Sequence, residues 1–393
     1  MIRKSIILFI ALTALTGAYG QSLQQYLQQV SDNNPEIVAC RKLLEAKRYE
    51  ARTGNTPPDP FISAGIMPGA PEAAGNKKIW SVTQSFAFPT KYLQQKKLNN
   101  STILLAEQEF NQGRLQILLE AKNSYLDLGY KTRYLNNLLA RKEGYDRLQS
   151  GWKKMLDNGQ TTIMDYNRIM IEISAVNLEI TRTRAEINML GERLAYIAGD
   201  ASLKIIPGDF TIITDPDQES LMKEKSQVHP SYLIPELEYE IGVGELKVSR
   251  AGALPEFEVG YQSEIVPGET YTGPVAGLSV PLWSNSNRIK AASARADHLS
   301  ALRDATVGKL NSSVRNEFLN MKALQQSLAE LRSIMETGGG TKYLDAALQA
   351  GEIPIMTYFT YMEAVYLTED RLLELENEYQ KSLARLLDHE LLK

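Results

Sequence analysis

An internal repeat is the feature of this chain that most constrains its fold. Residues 156–170 match residues 348–362 without a gap, at an offset of 192 positions. The six identities place Leu156, Gly159, Ile163, Met164, Tyr166 and Met170 opposite Leu348, Gly351, Ile355, Met356, Tyr358 and Met362. A chain of 393 residues with such a repeat is expected to build one supersecondary unit twice.

The correspondence extends upstream and divides the chain into two halves. Asn34-Pro35 answers His229-Pro230, and Phe88-Pro89 answers Val280-Pro281. Each half has the pattern of a short helix, two strands, a long helix, a tip and a second helix. We predict a first repeat over residues 21–200, a connecting segment over 201–228 and a second repeat over 229–393. The predicted strands cover about 60–67, 79–89, 256–266 and 272–282, with tips at about 156–166 and 348–358.

The first twenty residues have the pattern of an export signal. Arg3 and Lys4 precede an apolar run from Ile6 to Leu15, and Ala18-Tyr19-Gly20 supplies small residues where a signal peptidase cuts. We therefore predict a signal peptide over residues 1–20. A short buried N-terminal helix is the alternative.

The helices carry the period of coiled coils. After the first tip, apolar residues recur at alternating steps of four and three. They are Ile169, Ile173, Val176, Ile180, Ile187, Leu190, Leu194 and Ile197, with Thr183 filling the remaining position. The second half repeats the series less strictly, as Tyr361, Val365, Thr368, Leu372, Leu375, Tyr379, Ser382 and Leu386. No proline falls between Pro89 and Gly159, which predicts a helix of about 65 residues and about 100 Å.

The predicted strands alternate between large apolar and small or polar residues. Trp80, Val82, Phe86 and Phe88 alternate with serine, threonine and alanine, and Glu258 and Glu264 lie opposite an apolar side of the third strand. This pattern fits a lipid-facing strand or a half-buried strand of a soluble sheet equally well. Four strands do not close a barrel, so a membrane role requires several chains.

The composition excludes several classes of function. The 43 Lys and Arg residues are outnumbered by 47 Asp and Glu residues, which argues against nucleic acid as a partner. The single cysteine, Cys40, and three scattered histidines give no metal-ligand spacing. Neither a phosphate-binding loop nor a nucleophile elbow is present in the sequence. We predict no enzyme activity, no cofactor and no metal site.

Taken in order along the chain, these motifs resemble the TolC-type outer-membrane efflux proteins, and the heavy-metal-efflux branch fits best. The resemblance covers residues 22–390 and is carried by Pro58-Asp59-Pro60, Gln84-Ser85-Phe86, Phe88-Pro89 and the tips at Gly159 and Gly351. It implies a mostly α fold with a small β part, in which two tandem repeats form long coiled-coil hairpins. Each chain of a homotrimer would add four membrane strands to an α/β barrel.

The resemblance also implies a location and partners. The chain would sit in the outer membrane, in contact with its lipid, and extend into the periplasm. There it would dock on a periplasmic adaptor protein that couples to an inner-membrane pump of the RND type. The branch suggests cations as cargo. An exported periplasmic coiled-coil scaffold or adhesin without a channel is the alternative.

The tips are the predicted docking and closing surface. Gly159 and Gly351 each follow a long helix and are expected to adopt the left-handed conformation. Apolar pairs follow at equal spacing and have no obvious core to enter, which favours an interface. The predicted surface comprises Leu156, Gly159, Met164, Leu348, Gly351 and Met356. The alternative is that these residues only pack the turns.

The gate departs from the pattern of the resembled family. Aspartates are expected just after the second tip, but Thr357 and Thr360 occupy those positions. We predict that a gate would use Asp165, or the bulk of Tyr358, Phe359 and Tyr361. A helix-capping role is the alternative for Asp165. Gly338-Gly339-Gly340 is predicted to break a helix, either as a hinge for tip opening or as a packing joint.

The glutamates of the third strand are the predicted lumen lining. Glu258 and Glu264 lie on one wet face of that strand, without the opposed pair of carboxylates that hydrolysis uses. We expect them to line a water-filled passage and to favour cations.

Overall fold

The structure is a computed structural model and describes residues 22–71, 75–208, 214–283, 285–337 and 341–393. The predicted signal segment and Gly338–Gly340 lie outside the described residues.

Nine helices and four strands are found in the described part of the chain. The helices are α1 (Leu23–Asn33), α2 (Pro35–Glu50), α3 (Pro89–Asp157), α4 (Ile163–Ile197), α5 (Gln218–Val228), α6 (Pro230–Ala251), α7 (Ser286–Thr337), α8 (Thr341–Gln349) and α9 (Ile355–Leu386). The strands are β1 (Phe61–Pro68), β2 (Asn76–Phe86), β3 (Glu256–Val266) and β4 (Glu269–Ser279). A short 3₁₀ helix follows at Asp388–Leu392. The predicted mostly helical fold with a small β part is confirmed.

Prolines and capping residues set several helix boundaries. α2, α3 and α6 begin at Pro35, Pro89 and Pro230, because the fixed φ of proline suits the first helical position. Ser22 caps α1: its hydroxyl oxygen accepts a hydrogen bond from the Gln25 amide, and the Gln25 side chain accepts one from the Ser22 amide. The predicted long helix is confirmed, since α3 runs unbroken for 69 residues.

The strands form one antiparallel sheet in the order β1-β2-β3-β4. β3 has the predicted bounds, whereas β2 and β4 each start and end three residues earlier than predicted. Gly268 explains the early start of β4, because its positive φ of 86° allows a two-residue turn after Val266. β2 ends early because Phe88 already accepts a bond from Lys91 in the first turn of α3.

The chain divides into two compact units that do not coincide with the two repeats. One unit contains residues up to Asn34, Glu120–Ile212 and Ser327–Lys381. The second unit contains Pro35–Leu119, Ile213–Gln326 and Ser382–Lys393. We call them the helical unit and the sheet unit. Each unit takes equivalent segments from both repeats, so the compact units and the sequence repeats divide the chain differently.

The helical unit is built on the predicted seam of α4. Ile169, Ile173, Ile180, Thr183 and Leu194 are all buried. The α9 series differs near its start, because Tyr361 is exposed and the neighbouring Met362 is buried instead. The buried stripe of α9 therefore begins one position out of step with the prediction and joins it further along the helix, where Leu375 and Tyr379 are buried.

A buried lysine joins the end of α9 to α5 in the sheet unit. Lys225 Nζ donates to the carbonyls of Arg385 and Leu386 at 3.0 and 3.1 Å, and to Asp388 Oδ1 at 2.7 Å. His229 Nε2 lies 3.2 Å from the other oxygen of Asp388. Burial opposes ionisation, but His229 and the charge of Lys225 lower the pKa of Asp388. The cation and the carbonyls at the end of α9 thus satisfy one another.

Candidate functional site

The sheet has one apolar face that continues across all four strands. The pairing places Val82 beside Ile62 on β1 and beside Tyr261 on β3. At the end of the sheet nearest α3, Phe86 lies beside Phe257, which in turn lies beside Leu278. These side chains remain exposed in the single chain, together with Ile66, Trp80, Val259 and Ile265 on the same face.

Such a face is unusual for a protein in water. Large continuous apolar patches on a single chain mark an interface with protein or lipid. The apolar residues along β2 run from Trp80 to Phe86, about 20 Å at the rise of an extended strand. That height approaches the apolar band of a membrane-inserted sheet.

The opposite face is polar over most of its area, although Phe61 and Met67 of β1 are exposed on it. Ser63 and Ser81 pair across β1 and β2, with their hydroxyl oxygens 2.8 Å apart. Glu258 lies beside Ser85 and Gly277, and Glu264 lies beside Tyr271 on β4. The predicted shared face of Glu258 and Glu264 is therefore present.

The two glutamates differ in charge balance. Glu264 is paired with Lys77, with 2.7 Å between Oε2 and Nζ, and also accepts a bond from Gln262. Glu258 has no ion-pair partner among the residues that the structure describes. Its charge is therefore the less compensated of the two.

The outer strands of the sheet have free edges. β1 pairs only with β2 and β4 pairs only with β3, within the described ranges. An edge of eight or eleven residues with unpaired backbone groups is a template for another strand.

The two tips share one backbone arrangement. Gly159 and Gly351 have φ of 69° and 73°, which confirms the predicted left-handed conformation. The amide of Gln160 donates to the carbonyl of Met155, and that of Glu352 donates to Ala347, at 2.8 and 2.9 Å. A Cβ added to either glycine would meet open space.

The predicted docking residues separate into two groups. Gly159, Met164, Gly351 and Met356 are exposed. Leu156 is half-buried, and Leu348 packs against a cluster in the helical unit. The expectation of an exposed apolar pair at each tip is right for Ile163 and Met164. It is wrong for Ile355, which is buried in that cluster.

Thr162 is the N-cap of α4, and Asp165 in the first turn completes a capping box with it. Its side chain accepts bonds from the backbone and hydroxyl of Thr162 and from Thr161. The hydroxyl of Thr162 lowers the pKa of the Asp165 carboxyl most, although partial burial opposes this. These contacts of Asp165 are those of the helix-capping role given above as the alternative to a gate.

The aromatic residues proposed for a gate lie in different surroundings. Tyr358 and Phe359 are buried with Tyr145, Ile169 and Met362. Burial raises the pKa of Tyr358, whose hydroxyl donates to Asp345 at 2.7 Å. Tyr361, in contrast, is exposed. Only Tyr361 among the three presents its ring to solvent in the single chain.

Sequence reasoning missed a polar contact within the helical unit. Arg141 of α3 is buried, donates to both oxygens of Asp370 on α9, and lies 4.4 Å from the centre of the Tyr366 ring. Burial raises the pKa of the adjacent Glu369 carboxyl. Arg141, Tyr366 and Glu369 border an open groove of about 830 Å³. Asp370, a charged residue among the apolar positions of α9, could have indicated a buried polar contact. The sequence alone does not identify Arg141 as its partner.

No described helix has an apolar stretch sufficient to cross a bilayer. Among the described side chains, no three His, Cys, Asp or Glu residues lie together as metal ligands would.

Comparison with protein-family models finds no match, and neither does comparison with curated protein sequences. Solved structures do match. The outer-membrane channel OprN superimposes with a TM-score of 0.79 at 16% identity, covering 93% of this chain and 89% of that one. The CmeC outer-membrane channel of Campylobacter jejuni has a TM-score of 0.76 at 12% identity, covering 94% and 85%. The chain has the fold of these outer-membrane channels.

CusC, whose structures concern transmembrane channel formation, matches about equally well. Its TM-score is 0.78 at 11% identity, covering 96% of this chain and 95% of that one. Because OprN and CusC match alike, the comparison does not single out the heavy-metal branch. At such low identity the likeness establishes the fold and not the cargo.

Proposed function

We propose that this protein is the outer-membrane channel of a tripartite efflux system and conducts its cargo passively to the cell exterior. The observation that carries the proposal is the sheet, which has an exposed apolar face, a polar face and two free edges. This sheet lies on a fold shared with outer-membrane channels. A lipid-facing exterior and a wet interior account for the two faces.

Closure of the barrel requires further copies of the chain. The free edges of β1 and β4 can pair between copies, which would satisfy their backbone groups in lipid. Three copies would supply twelve strands, each copy contributing four. A homotrimer is therefore the proposed assembly, and the TolC-type resemblance supports the same number.

The tips are the proposed contact with a periplasmic adaptor, which would couple the channel to an inner-membrane pump of the RND type. Exposed Ile163, Met164 and Met356 support this role. Asp165 is engaged in a cap, and Tyr358 and Phe359 are buried. We therefore assign the narrowing of a closed channel chiefly to exposed Tyr361.

Membrane fractionation tests the channel against the scaffold or adhesin alternative. A heat-modifiable trimer in the detergent extract of outer membranes is expected. A rod-shaped protein recovered in the soluble periplasmic fraction would contradict the channel and favour the scaffold.

Conductance in planar bilayers tests the lumen. Glu258→Gln is expected to reduce cation selectivity more than Glu264→Gln, because Lys77 already compensates Glu264. The proposed cargo, metal cations included, would pass without a resident binding site. Equal reversal potentials in wild type and Glu258→Gln would count against placing the polar face in the lumen.

Adaptor crosslinking tests the tips. Met164→Glu and Met356→Glu are expected to lower crosslinking, because each puts a charge into an apolar contact. Met189→Glu provides a matched control, since Met189 is an exposed methionine on α4 of the helical unit. Crosslinking that survives both tip substitutions would remove the tips from the interface.

A further inference from the structure

The helix ends next to the sheet are basic in a chain that is acidic as a whole. Residues 89–97 of α3, 245–251 of α6 and 286–295 of α7 contain eight Lys and Arg residues and one Asp or Glu. The full chain has 43 basic and 47 acidic residues. Basic charge is thus concentrated where the helices join β2, β3 and β4.

Six of these basic side chains are exposed and lack a carboxylate partner within the described part of the chain. Lys91 pairs with Glu256 and Arg295 pairs with Glu245, both at 3.5 Å. We call the remaining six the basic collar, formed by Lys96, Lys97, Lys247, Arg250, Arg288 and Lys290. Exposed unpaired charges are free to meet an external anion.

The three helix ends lie side by side in the sheet unit. Leu98 of α3, Glu245 of α6 and Arg288 of α7 line one small pocket. Asn285 Nδ2, just before α7, donates to the carbonyl of Gly252 just after α6, at 3.4 Å. The helix ends that carry the basic residues are therefore adjacent to one another in the sheet unit.

Exposed apolar residues lie between the basic collar and the apolar face of the sheet. Trp283, in the segment from β4 to α7, is 87% exposed, and Leu282 and Leu254 are also exposed. Phe88, between β2 and α3, lies next to Phe257, with the two tilted rings 6.1 Å apart between their centres. Tryptophan beside an apolar band and basic residues is typical of a bilayer interface.

We propose that the basic collar binds the headgroups of anionic phospholipids at the boundary of the membrane, with Trp283 seated in the interfacial layer. This inference rests on the proposed membrane insertion of the sheet. Lys96 lies seven residues into α3, about 10 Å from its start, which is within one Debye length of a bilayer surface. The charge is complementary to a phosphate, and the surface is continuous with the apolar face.

Quenching of tryptophan fluorescence measures how deeply Trp80 and Trp283 lie in the bilayer. The chain has three tryptophans, Trp80, Trp152 and Trp283. Trp152→Phe with Trp80→Phe leaves Trp283 as the reporter, and Trp152→Phe with Trp283→Phe leaves Trp80. In vesicles with brominated lipids, Trp80 is expected to respond to labels in the acyl chains. Trp283 is expected to respond best to labels near the headgroup.

Lipid selectivity tests whether the positive charge of the basic collar contributes to binding. We expect the full-length protein in vesicles to retain phosphatidylglycerol over phosphatidylcholine by at least about tenfold, since each basic residue at the surface contributes about fivefold. Changing all six collar residues to Gln should abolish this preference. Changing Lys142, Arg147, Lys153, Lys154, Arg182 and Arg184 of the helical unit to Gln should preserve it. High salt should weaken the preference of the unmodified protein, which tests the idea without any substitution.

The outcomes separate this inference from the proposed channel. Quenching of Trp80 with no headgroup response of Trp283, or with lipid selectivity unchanged in the collar variant, overturns the collar while leaving insertion intact. Absence of Trp80 quenching overturns insertion and the collar together. Selectivity for lipopolysaccharide with none for phosphatidylglycerol, or competition by inorganic phosphate alone, also overturns the assignment to phospholipid. Capture of the collar by a periplasmic protein in place of lipid does the same.

Discussion

The two tips have the same sequence motif and the same backbone turn, yet they differ in burial. Ile163 is 56% exposed and its counterpart Ile355 is 7% exposed. Met170 is 36% exposed and its counterpart Met362 is 2% exposed. The repeated motif therefore encodes how the chain turns, while the neighbouring helices decide which side chains it buries.

The cause of the difference lies in what packs on each tip. The start of α9 enters a cluster with Tyr145 of α3 and with Ile169 and Ile173 of α4. Leu344 and Leu348 of α8 cover the same cluster. Ile169 and Ile173, which follow the first tip on α4, belong to that cluster, but Ile163 at the tip itself does not. The tips are thus equivalent in backbone and unequal as surfaces.

The largest expected effect comes from the buried methionine. Met362→Ala should destabilise the helical unit by about 2–5 kcal/mol, because it leaves a cavity in a packed core. Met170→Ala is the matched control and should change stability by less than about 1 kcal/mol. Denaturant unfolding followed by hydrogen exchange in α9 would measure both. Equal losses would mean that the two tips are buried alike.

The glycines should respond equally. Gly159→Ala and Gly351→Ala should each cost about 1–2 kcal/mol, because a side chain resists the left-handed conformation. Neither added Cβ meets another atom, so steric contact adds nothing at either tip. Thermal unfolding of the two variants side by side would measure the costs. A clear inequality would show that the turns differ in backbone as well as in burial.

The smallest expected effect concerns the capping box at the first tip. Asp165→Asn should destabilise the start of α4 by about 1 kcal/mol at neutral pH. The folded pKa of Asp165 is lowered, so its contribution is complete above the ordinary value of 3.8 and is lost as the pH falls through the lowered value. Stability measured from pH 7 to pH 2 should therefore fall less in Asp165→Asn than in wild type. Parallel pH profiles would contradict a stabilising cap. Thr357→Val at the equivalent position of the second tip is the control.

The elements with strong local signals could be predicted from the sequence. The 69-residue α3, the buried series of α4 and the left-handed glycines each follow from spacing or from a single special residue. The alternating faces of the sheet follow for the same reason. The ends of the strands were harder to predict. The first turn of α3 shifts β2, and the turn at Gly268 shifts β4, each by three residues.

The candidate site was harder to predict because burial depends on distant partners. Ile355 and Met356 are adjacent and both apolar, yet only Ile355 packs in the cluster around Tyr145. Likewise, the pairing of Glu264 with Lys77 depends on the register of β2 against β3. Neither fact is present in local periodicity.

Lys225 imposes an order on how the sheet unit can assemble. Lys225 is 4% exposed, and its ammonium group donates to the carbonyls of Arg385 and Leu386 and to Asp388. Without residues 385–388 in place, α5 would have to bury an unpaired cation, which costs several kcal/mol. Burial of Lys225 therefore requires a segment that lies 160 positions later in the sequence. The packing of α5 is thus completed only when this distant segment has docked on it.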